Sequence, residues 1–390
     1  MQIGLLLLGL AYVLSQFFRA FLAVLTAPLE ADLGLGADVL ATASGLWFLS
    51  FAAMQIPVGF ALDTIGPRRT AGWLLLIGGG GGAALFAVAQ TPFHVQGAMI
   101  LIGIGCSPVL MASFYIFARS FDPSRFATLA AMMIGLGTVG NLISSYPMAF
   151  AVETIGWRAA MWVLATTSSA VAIGVLMSVA DPTKPEGEAR GSLLDLLRMP
   201  VLWLILPLMF VNYAPIGAVR GLWIGPYLTD VFDMTVSQIG VATLVMSIAM
   251  IFGTLAYGPL DRILGTRKWI VFGGNGVTMI LLFLLIIWSD ANAWLSVGIM
   301  AAIGFFGASF PVIIAHARGF FPPHLTGRGV TLMNLFGIGG VGVIQFASGR
   351  IHTGWSGGAA EVPYIAIFAF LAVSLAAGLI VYARSRDTTG

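Results

Sequence analysis

Charge is what this sequence has least of. Only 9% of its 390 residues are Asp, Glu, Lys or Arg, whereas 59% are hydrophobic. An ordinary soluble domain carries about 25% charged residues. The shortage excludes an ordinary water-soluble protein and predicts a chain that crosses a membrane many times.

Cysteine is nearly absent as well. The single Cys106 excludes an internal disulfide and any metal site made of several cysteines. The sequence also has no phosphate-binding glycine loop followed by Lys and Ser or Thr, and no nucleophile triad. We therefore predict a protein that is not an enzyme, needs no cofactor or metal, and has no nucleic-acid partner. The first apolar run lacks a signal-peptide cleavage pattern, so we expect it to remain as the first span.

Long apolar runs are what the sequence has instead. Twelve runs, each of roughly the 20 residues needed to cross a bilayer, follow one another between residues 5 and 383. Helices are expected, because lipid cannot satisfy exposed backbone polar groups. The predicted fold class is an all-α polytopic membrane protein with twelve transmembrane helices.

One polar segment, residues 180–199, separates the sixth run from the seventh. It predicts two six-helix bundles, residues 1–179 and 200–390, joined by a linker. Within the linker, Ser192 to Arg198 has the pattern of a short amphipathic helix lying on the membrane surface.

Basic residues predict the orientation. With an even number of spans both termini share one side. Two of the 18 Lys and Arg fall on the opposite side and two lie within spans, which leaves 14 on the side of the termini. The positive-inside rule then places the termini and the linker in the cytoplasm, in a bacterial-type inner membrane. All 16 acidic residues fall near span ends or in loops, so no carboxylate is predicted near the middle of the membrane.

A polar turn occurs twice, about half the chain apart, at residues 59–69 and 258–268. Each copy has a glycine, an aspartate, a second glycine and a pair of basic residues. A carboxylate at one helix end can accept hydrogen bonds from the start of a neighbouring helix and pair with an arginine. Such a latch would be made in one conformation and broken in another; the alternative is that the basic residues only fix the topology. With the equivalent arginines after runs four and ten, the candidate gating residues are Asp63, Arg68, Arg69, Arg119, Asp261, Arg262, Arg267, Lys268 and Arg318.

Twelve spans, a polar central loop and this repeated turn resemble the major facilitator superfamily over the whole chain. The first turn departs from the family pattern at Thr64 and Pro67, and Gly156-Trp157-Arg158 is another phrase common in the family. The resemblance implies two pseudo-symmetric bundles and a monomeric transporter that moves a small solute by alternating access. Span four lacks the arginine that many proton-coupled members carry, which weighs against a proton-driven multidrug exporter.

The half-chain repeat also pairs two arginines inside spans. Tyr12 and Arg19 lie in span one, and adding 201 to each number gives Tyr213 and Arg220 in span seven. A charge inside a span is costly and usually faces the bundle interior, and substrates bind at repeat interfaces near mid-membrane. An arginine fork binds carboxylate or phosphate with two hydrogen bonds. With no acid predicted nearby, we expect an organic or phosphorylated anion as substrate, as in the phosphate and organophosphate exchangers of the superfamily.

Residues spaced three or four positions apart lie on the same face of a helix as each arginine, and we include them in the candidate site. Two amide side chains in other spans are also included. The candidate substrate-binding residues are Tyr12, Gln16, Arg19, Asn141, Tyr213, Arg220, Trp223, Tyr227 and Asn334. The alternatives are that the arginines bond helix-end carbonyls or extend to a membrane interface, and that the amides hydrogen-bond a neighbouring helix.

Two other functions stay open. Thioether and thiol ligands suit soft metals, so a copper importer could use Cys106, Met111, Met246 and Met250. A membrane sensor or assembly factor of the same architecture would bind a partner without transport.

Overall fold

The computed structural model describes residues 2–182, 193–322 and 325–388, and the regular elements in these ranges are all helices. Among them, ten helices are long and apolar enough to cross a membrane, or up to twelve if each of two bent pairs is one span. The all-helical fold class predicted from the apolar runs is confirmed. Residues 183–192, which hold most of the predicted linker, lie outside the described ranges; the rest of its amphipathic stretch contains a short helix, Leu193–Leu197.

The chain divides into two compact units, Met1–Gly187 and Glu188–Gly390. Spans are numbered one to twelve in chain order, six to each unit. The base of a unit is the end at which its chain begins and ends, and the apex is the opposite end.

The first unit contains spans one to six, most of which are interrupted. Their helices are Gln2–Phe17 and Leu22–Leu33; Ala37–Ala53 and Gln55–Thr64; Pro67–Leu74, Leu75–Gly80 (π-helical) and Gly81–Ala87; Pro92–Cys106 and Val109–Ser120; Pro123–Ile143 and Tyr146–Ile155; and Trp157–Ser178.

The second unit contains spans seven to twelve, of which seven and ten are interrupted. Their helices are Leu202–Asn212, Ala214–Ala218, Val219–Trp223 (π-helical) and Ile224–Phe232; Val236–Leu264; Lys268–Ile287; Ala293–Phe306 and Phe310–Arg318; Thr326–Trp355; and Val362–Tyr382.

The two units repeat the same helix packing. In the first unit span one packs against spans five and six, and span two against span four. In the second unit span seven packs against spans eleven and twelve, and span eight against span ten. The span that carries the arginine thus has the same neighbours in each unit.

Span one is broken next to its arginine. Ile3–Phe17 and Leu22–Leu33 meet at 56°, and Arg19 lies in the turn between them. No proline stands in this turn. Instead the rings of Phe17, Phe18 and Phe21 pack together, and Phe21 reaches Phe86 of span three with ring centroids 5.5 Å apart. Aromatic packing between helices thus occupies the break.

Span seven is irregular around the equivalent arginine. Its first helix ends at Asn212, just before Pro215, which lacks the N–H that a continuous helix would use. The next irregularity is the π-helical turn Val219–Trp223, which contains Arg220. π-helical turns often mark functional sites. Both intramembrane arginines thus lie where the helix is not regular.

Candidate functional site

Arg19 is held in the first unit by aromatic rings. Its guanidinium carbon lies 5.0 Å from the ring centroid of Phe51 and 5.6 Å from that of Trp47, both on span two. Such cation–π contacts are attractive, most strongly where water is excluded. The Nε atom of Arg19 is buried without a hydrogen-bond partner in the described part of the chain, and no described acidic side chain forms an ion pair with it. Its positive charge therefore has no protein counter-ion there.

Tyr12 and Gln16 precede Arg19 on span one and bond to each other. Gln16 Nε2 donates to the Tyr12 hydroxyl at 3.1 Å. Both side chains pack against Gly137 of span five, so the predicted row of polar groups lies along the contact between these two spans. Asn141, on the same helix of span five, is buried, and its Oδ1 has no hydrogen-bond partner among the described residues.

Arg220 is 2% exposed, far more buried than the half-buried Arg19. Of its predicted companions, Tyr213 is half-buried with its ring centroid 5.5 Å from that of Phe310. Asn334 is half-buried on span eleven. The substrate-binding roles of these residues stay predictions.

Trp223 and Tyr227 use their polar atoms inside the second unit. Trp223 Nε1 donates to Ser348 Oγ at 2.9 Å, and the Tyr227 hydroxyl bonds the Ser289 carbonyl and Ser296 Oγ. Both side chains are fully buried. A break and a π-helical turn lie between Tyr213 and Tyr227, so span seven is not a regular helix along the predicted row of side chains.

A buried polar cluster in the second unit is absent from the predicted site. Asn212 Nδ2 donates to Asn275 Oδ1 at 2.9 Å and to Ser309 Oγ at 2.8 Å, and Asn275 Nδ2 donates to Ser309 Oγ at 3.0 Å. Asn212 and Ser309 stand at the interruptions of spans seven and ten. The cluster therefore ties two broken helices to span nine. No sequence signal predicts it, because the three residues come from distant parts of the chain.

The predicted latch takes a different form in the first unit. Asp63 is exposed and forms no ion pair within the described ranges. The start of span three is bonded instead by Asp181, which follows span six: its Oδ1 accepts from the Arg68 backbone N–H at 2.8 Å, and its Oδ2 lies 3.6 Å from Arg68 Nε. A carboxylate at a helix N-terminus is stabilised by the helix dipole. We call this contact, and its counterpart in the second unit, the base clamp.

The base clamp of the second unit uses Asp387. This carboxylate accepts from the Thr266 hydroxyl and from the backbone N–H groups of Arg267 at 3.2 Å and Lys268 at 3.3 Å, at the start of span nine. In the first copy of the repeated turn Pro67 stands at the position of Thr266, so the first unit lacks that hydroxyl. Asp261 does pair with an arginine, since its Oδ2 lies 3.2 Å from Arg267 Nε. Gating by these residues stays a prediction.

The remaining candidate gating residues lie around the bases of the units. Arg119 has its guanidinium carbon 4.2 Å from the Tyr115 ring centroid, and Lys268 Nζ donates to the Ala383 carbonyl at 2.7 Å. Three arginines of this group have exposed side chains, namely Arg69, Arg262 and Arg318.

His316 fixes the segment that ends in Asp387. Its Nε2 lies 2.8 Å from the Arg386 carbonyl, which can only accept, so Nε2 carries the hydrogen. Its Nδ1 then accepts from the Tyr382 hydroxyl at 2.7 Å. The His316 side chain is fully buried although it lies near the end of its span. It secures the C-terminal segment to span ten.

Asp387 allows a pH-dependent prediction. Burial opposes ionisation of its carboxyl, but hydrogen bonds from the Thr266 hydroxyl and from three backbone N–H groups lower its pKa from 3.8 to about 2. A carboxyl with a lower pKa in the folded protein stabilises the fold above its unfolded pKa, and this contribution is lost as the pH falls through its folded pKa. We expect Asp387→Asn to lower the unfolding temperature by the same amount from about pH 8 to pH 5, and the difference from wild type to shrink progressively below about pH 5 until little of it remains near pH 2.

A pH series of thermal unfolding in detergent measures this difference. Asp233→Asn is the matched control, because Asp233 is exposed and has φ of 52°, a conformation that asparagine also adopts. A difference between Asp387→Asn and wild type that stays unchanged down to about pH 2 would contradict the assigned role of the ionised carboxylate.

At the apex of each unit, a side-chain hydrogen bond to an aspartate joins the first span to the last. In the first unit Trp157 Nε1 donates to Asp32 Oδ2 at 2.8 Å, and in the second the Tyr364 hydroxyl donates to Asp230 Oδ2. Arg158, beside Trp157, donates to the carbonyls of Ala87 and Ala89 at the end of span three. The phrase Gly156-Trp157-Arg158 thus joins three spans at this end of the unit.

The four sulfur residues of the copper alternative are divided between the units. Cys106 and Met111 belong to the first, and Met246 and Met250 to the second, where Met246 packs against Gly304 of span ten. Cys106 and Met246 are almost fully buried. Within the described ranges, no group of three or more His, Cys, Asp or Glu side chains could hold a metal ion.

Solved structures of low sequence identity share this fold. A bacterial homologue of the human lysosomal transporter Spinster is 16% identical, with a TM-score of 0.73 over 98% of this chain and 94% of that one. A D-xylose-proton symporter is 14% identical, with a TM-score of 0.80 over 98% of each chain. The nucleoside transporter NupG is 15% identical, with a TM-score of 0.72 over 98% of this chain and 99% of that one.

Sequence comparison gives the family. No curated protein sequence is similar enough to this chain to count as a relative. The family model of the major facilitator superfamily matches residues 8–220 and again residues 205–389, so nearly the whole chain is covered by two copies. The chain is a multi-pass membrane protein that belongs to the major facilitator superfamily.

Proposed function

We propose that this protein transports a small organic or phosphorylated anion across the membrane by alternating access, as a secondary active or facilitative transporter. The observation that carries the proposal is the repeated arginine in an irregular part of an equivalent span. Arg19 lies in the break of span one, and Arg220 lies in the π-helical turn of span seven. In transporters, substrates bind where membrane helices are discontinuous.

Charge supports an anion over a neutral solute. A cation inside a span is expensive unless something compensates it, and such residues usually mark a transport pathway. Arg19 has aromatic rings beside it and no ion pair in the described part of its unit. A carboxylate or phosphate group would supply the missing negative charge and accept two hydrogen bonds from the guanidinium.

Uptake into proteoliposomes tests the function. We expect saturable uptake of at least one member of a panel of carboxylates, inorganic phosphate and sugar phosphates, and none into protein-free liposomes. D-xylose and a nucleoside are suitable neutral comparison solutes, because proteins of this fold carry them. Uptake of a neutral solute or of copper, with no anion transported, would contradict the proposal. Binding of an anion without flux would indicate a sensor.

We also propose that both termini face the cytoplasm of a bacterial-type inner membrane. The distribution of Lys and Arg supports this orientation through the positive-inside rule. Labelling of a cysteine introduced at Arg384, in a Cys106→Ala background, by an impermeant reagent added to intact cells would contradict it.

A further inference from the structure

Trp47 in span two has a buried indole N–H with no hydrogen-bond acceptor in the described part of its unit. Its side chain is 1% exposed, and its Nε1 has no hydrogen-bond partner among the described residues. Buried tryptophan N–H groups usually find a partner. Trp157 and Trp223, which are also buried in this chain, both do, donating to an aspartate and to a serine. Trp47 therefore differs from other tryptophans of the same protein.

The unused donor lies beside a second one. The Trp47 and Phe51 rings are stacked, with centroids 5.2 Å apart at 20°, and the Arg19 guanidinium lies against both rings. Arg19 Nε is likewise buried without an acceptor in the described ranges. Two neighbouring side chains thus have an N–H donor each and no acceptor for either. An oxygen-rich anion is the complement of such a pair, because each of its oxygens accepts hydrogen bonds and its charge balances the guanidinium.

We propose that Trp47 is a binding residue for the transported anion, whose oxyanion group, carboxylate or phosphate, accepts a hydrogen bond from the indole N–H while Arg19 neutralises its charge. The assignment rests on the proposed anion transport. The aromatic rings have a second role in it: they cover part of the guanidinium, so that its charge acts in a site with little water, where electrostatic attraction is stronger.

Trp47→Phe separates this role from a structural one, because it removes the N–H and keeps an aromatic ring. Because Trp47 is fully buried, Trp47→Phe also leaves a small cavity, and some loss of stability is expected whether or not the N–H has a partner. The test therefore depends on the KM of the folded variant. If the N–H binds the anion, the KM of uptake rises about tenfold while kcat changes less than about twofold, because a hydrogen bond to a charged group is lost.

The experiment measures anion uptake and thermal unfolding for wild type, Trp47→Phe and Trp47→Tyr. Trp47→Tyr supplies a hydroxyl donor and should restore part of the lost affinity. Trp162→Phe is the matched control: this tryptophan of the same unit is 47% exposed, and its replacement should leave KM unchanged. Carboxylate and phosphate substrates are measured separately, and the increase in KM identifies the oxyanion that the indole contacts.

The outcomes distinguish the two proposals. If wild type transports no anion, the proposed function fails, and the role of Trp47 fails with it. If anion uptake depends on Arg19 but Trp47→Phe leaves KM unchanged, only the role of Trp47 is overturned. A Trp47→Phe protein that no longer folds would show that the indole is needed for structure, and would overturn the assignment equally.

Discussion

Arg19→Ala and Arg220→Ala are each expected to lower the initial rate of anion uptake by at least about 100-fold. Truncating one partner of a buried, hydrogen-bonded charge pair typically costs about 2–5 kcal/mol, and about 1.4 kcal/mol corresponds to a factor of ten. Arg19→Lys and Arg220→Lys should retain a small part of the activity, because lysine keeps the charge but loses the planar fork. Initial uptake rates in proteoliposomes measure both effects.

The stability of the same variants provides the control for misfolding. Arg19 has no ion pair within the described ranges, and Arg19→Ala removes both a costly intramembrane charge and the contacts of the guanidinium with the Trp47 and Phe51 rings. These two effects oppose each other, so the variant should unfold close to the wild-type temperature. Arg198→Ala is a suitable comparison, because this side chain is 81% exposed and lies 3.9 Å from Asp195 in a weak surface pair. Unchanged anion uptake in both Arg19→Ala and Arg220→Ala would rule out the proposed binding residues.

The fold could be predicted largely from hydropathy and from one repeated turn. Lipid leaves helices as the main way for an apolar run to cross, so the number and order of spans follow from composition. The repeat at residues 59–69 and 258–268 gave an offset of about half the chain, which identified Arg220 as the counterpart of Arg19. The structure then places both arginines in irregular backbone, which hydropathy does not reveal.

The helix breaks could not be predicted because their causes are tertiary. The turn after Phe17 contains no proline and is filled by phenylalanine rings that pack on one another and on Phe86. The π-helical turn around Arg220 changes the register of side chains along span seven. A helical wheel drawn on a regular helix groups Tyr213 with Trp223 and Tyr227, although a break and a π-helical turn lie between Tyr213 and Tyr227.

The base clamp is a second feature that the sequence alone did not predict. The sequence suggests Asp63, the nearest acid in the repeated turn, as the carboxylate at the start of span three. The acid that bonds there is Asp181, 113 residues beyond Arg68, and in the second unit it is Asp387, 120 residues beyond Arg267. Contacts over such separations depend on which spans are neighbours, and a single sequence does not state this.

The second prediction with a large expected effect concerns two glycines at which neighbouring helices lie in close contact. Gly140 of span five lies against the Val13 carbonyl of span one, and Gly340 of span eleven lies against the Phe210 carbonyl of span seven. A Cβ at either glycine would overlap that carbonyl oxygen, which belongs to the backbone and cannot rotate away. The same close contact thus joins the arginine-bearing span of each unit to a neighbouring span.

Gly140→Ala and Gly340→Ala should therefore each destabilise the protein by about 3 kcal/mol, the upper range for overpacking, and lower its unfolding temperature by roughly 4 °C. Gly135→Ala is the matched control on the same helix, because nothing lies within 4 Å of the added Cβ, and alanine there should stabilise by about 0.5–1 kcal/mol. Thermal unfolding in detergent distinguishes the opposite signs; equal unfolding temperatures for Gly135→Ala and Gly140→Ala would contradict the predicted overlap. Because Asn141 follows Gly140 directly, separating these spans would also displace a candidate substrate-binding amide, so Gly140→Ala should lose anion uptake along with stability.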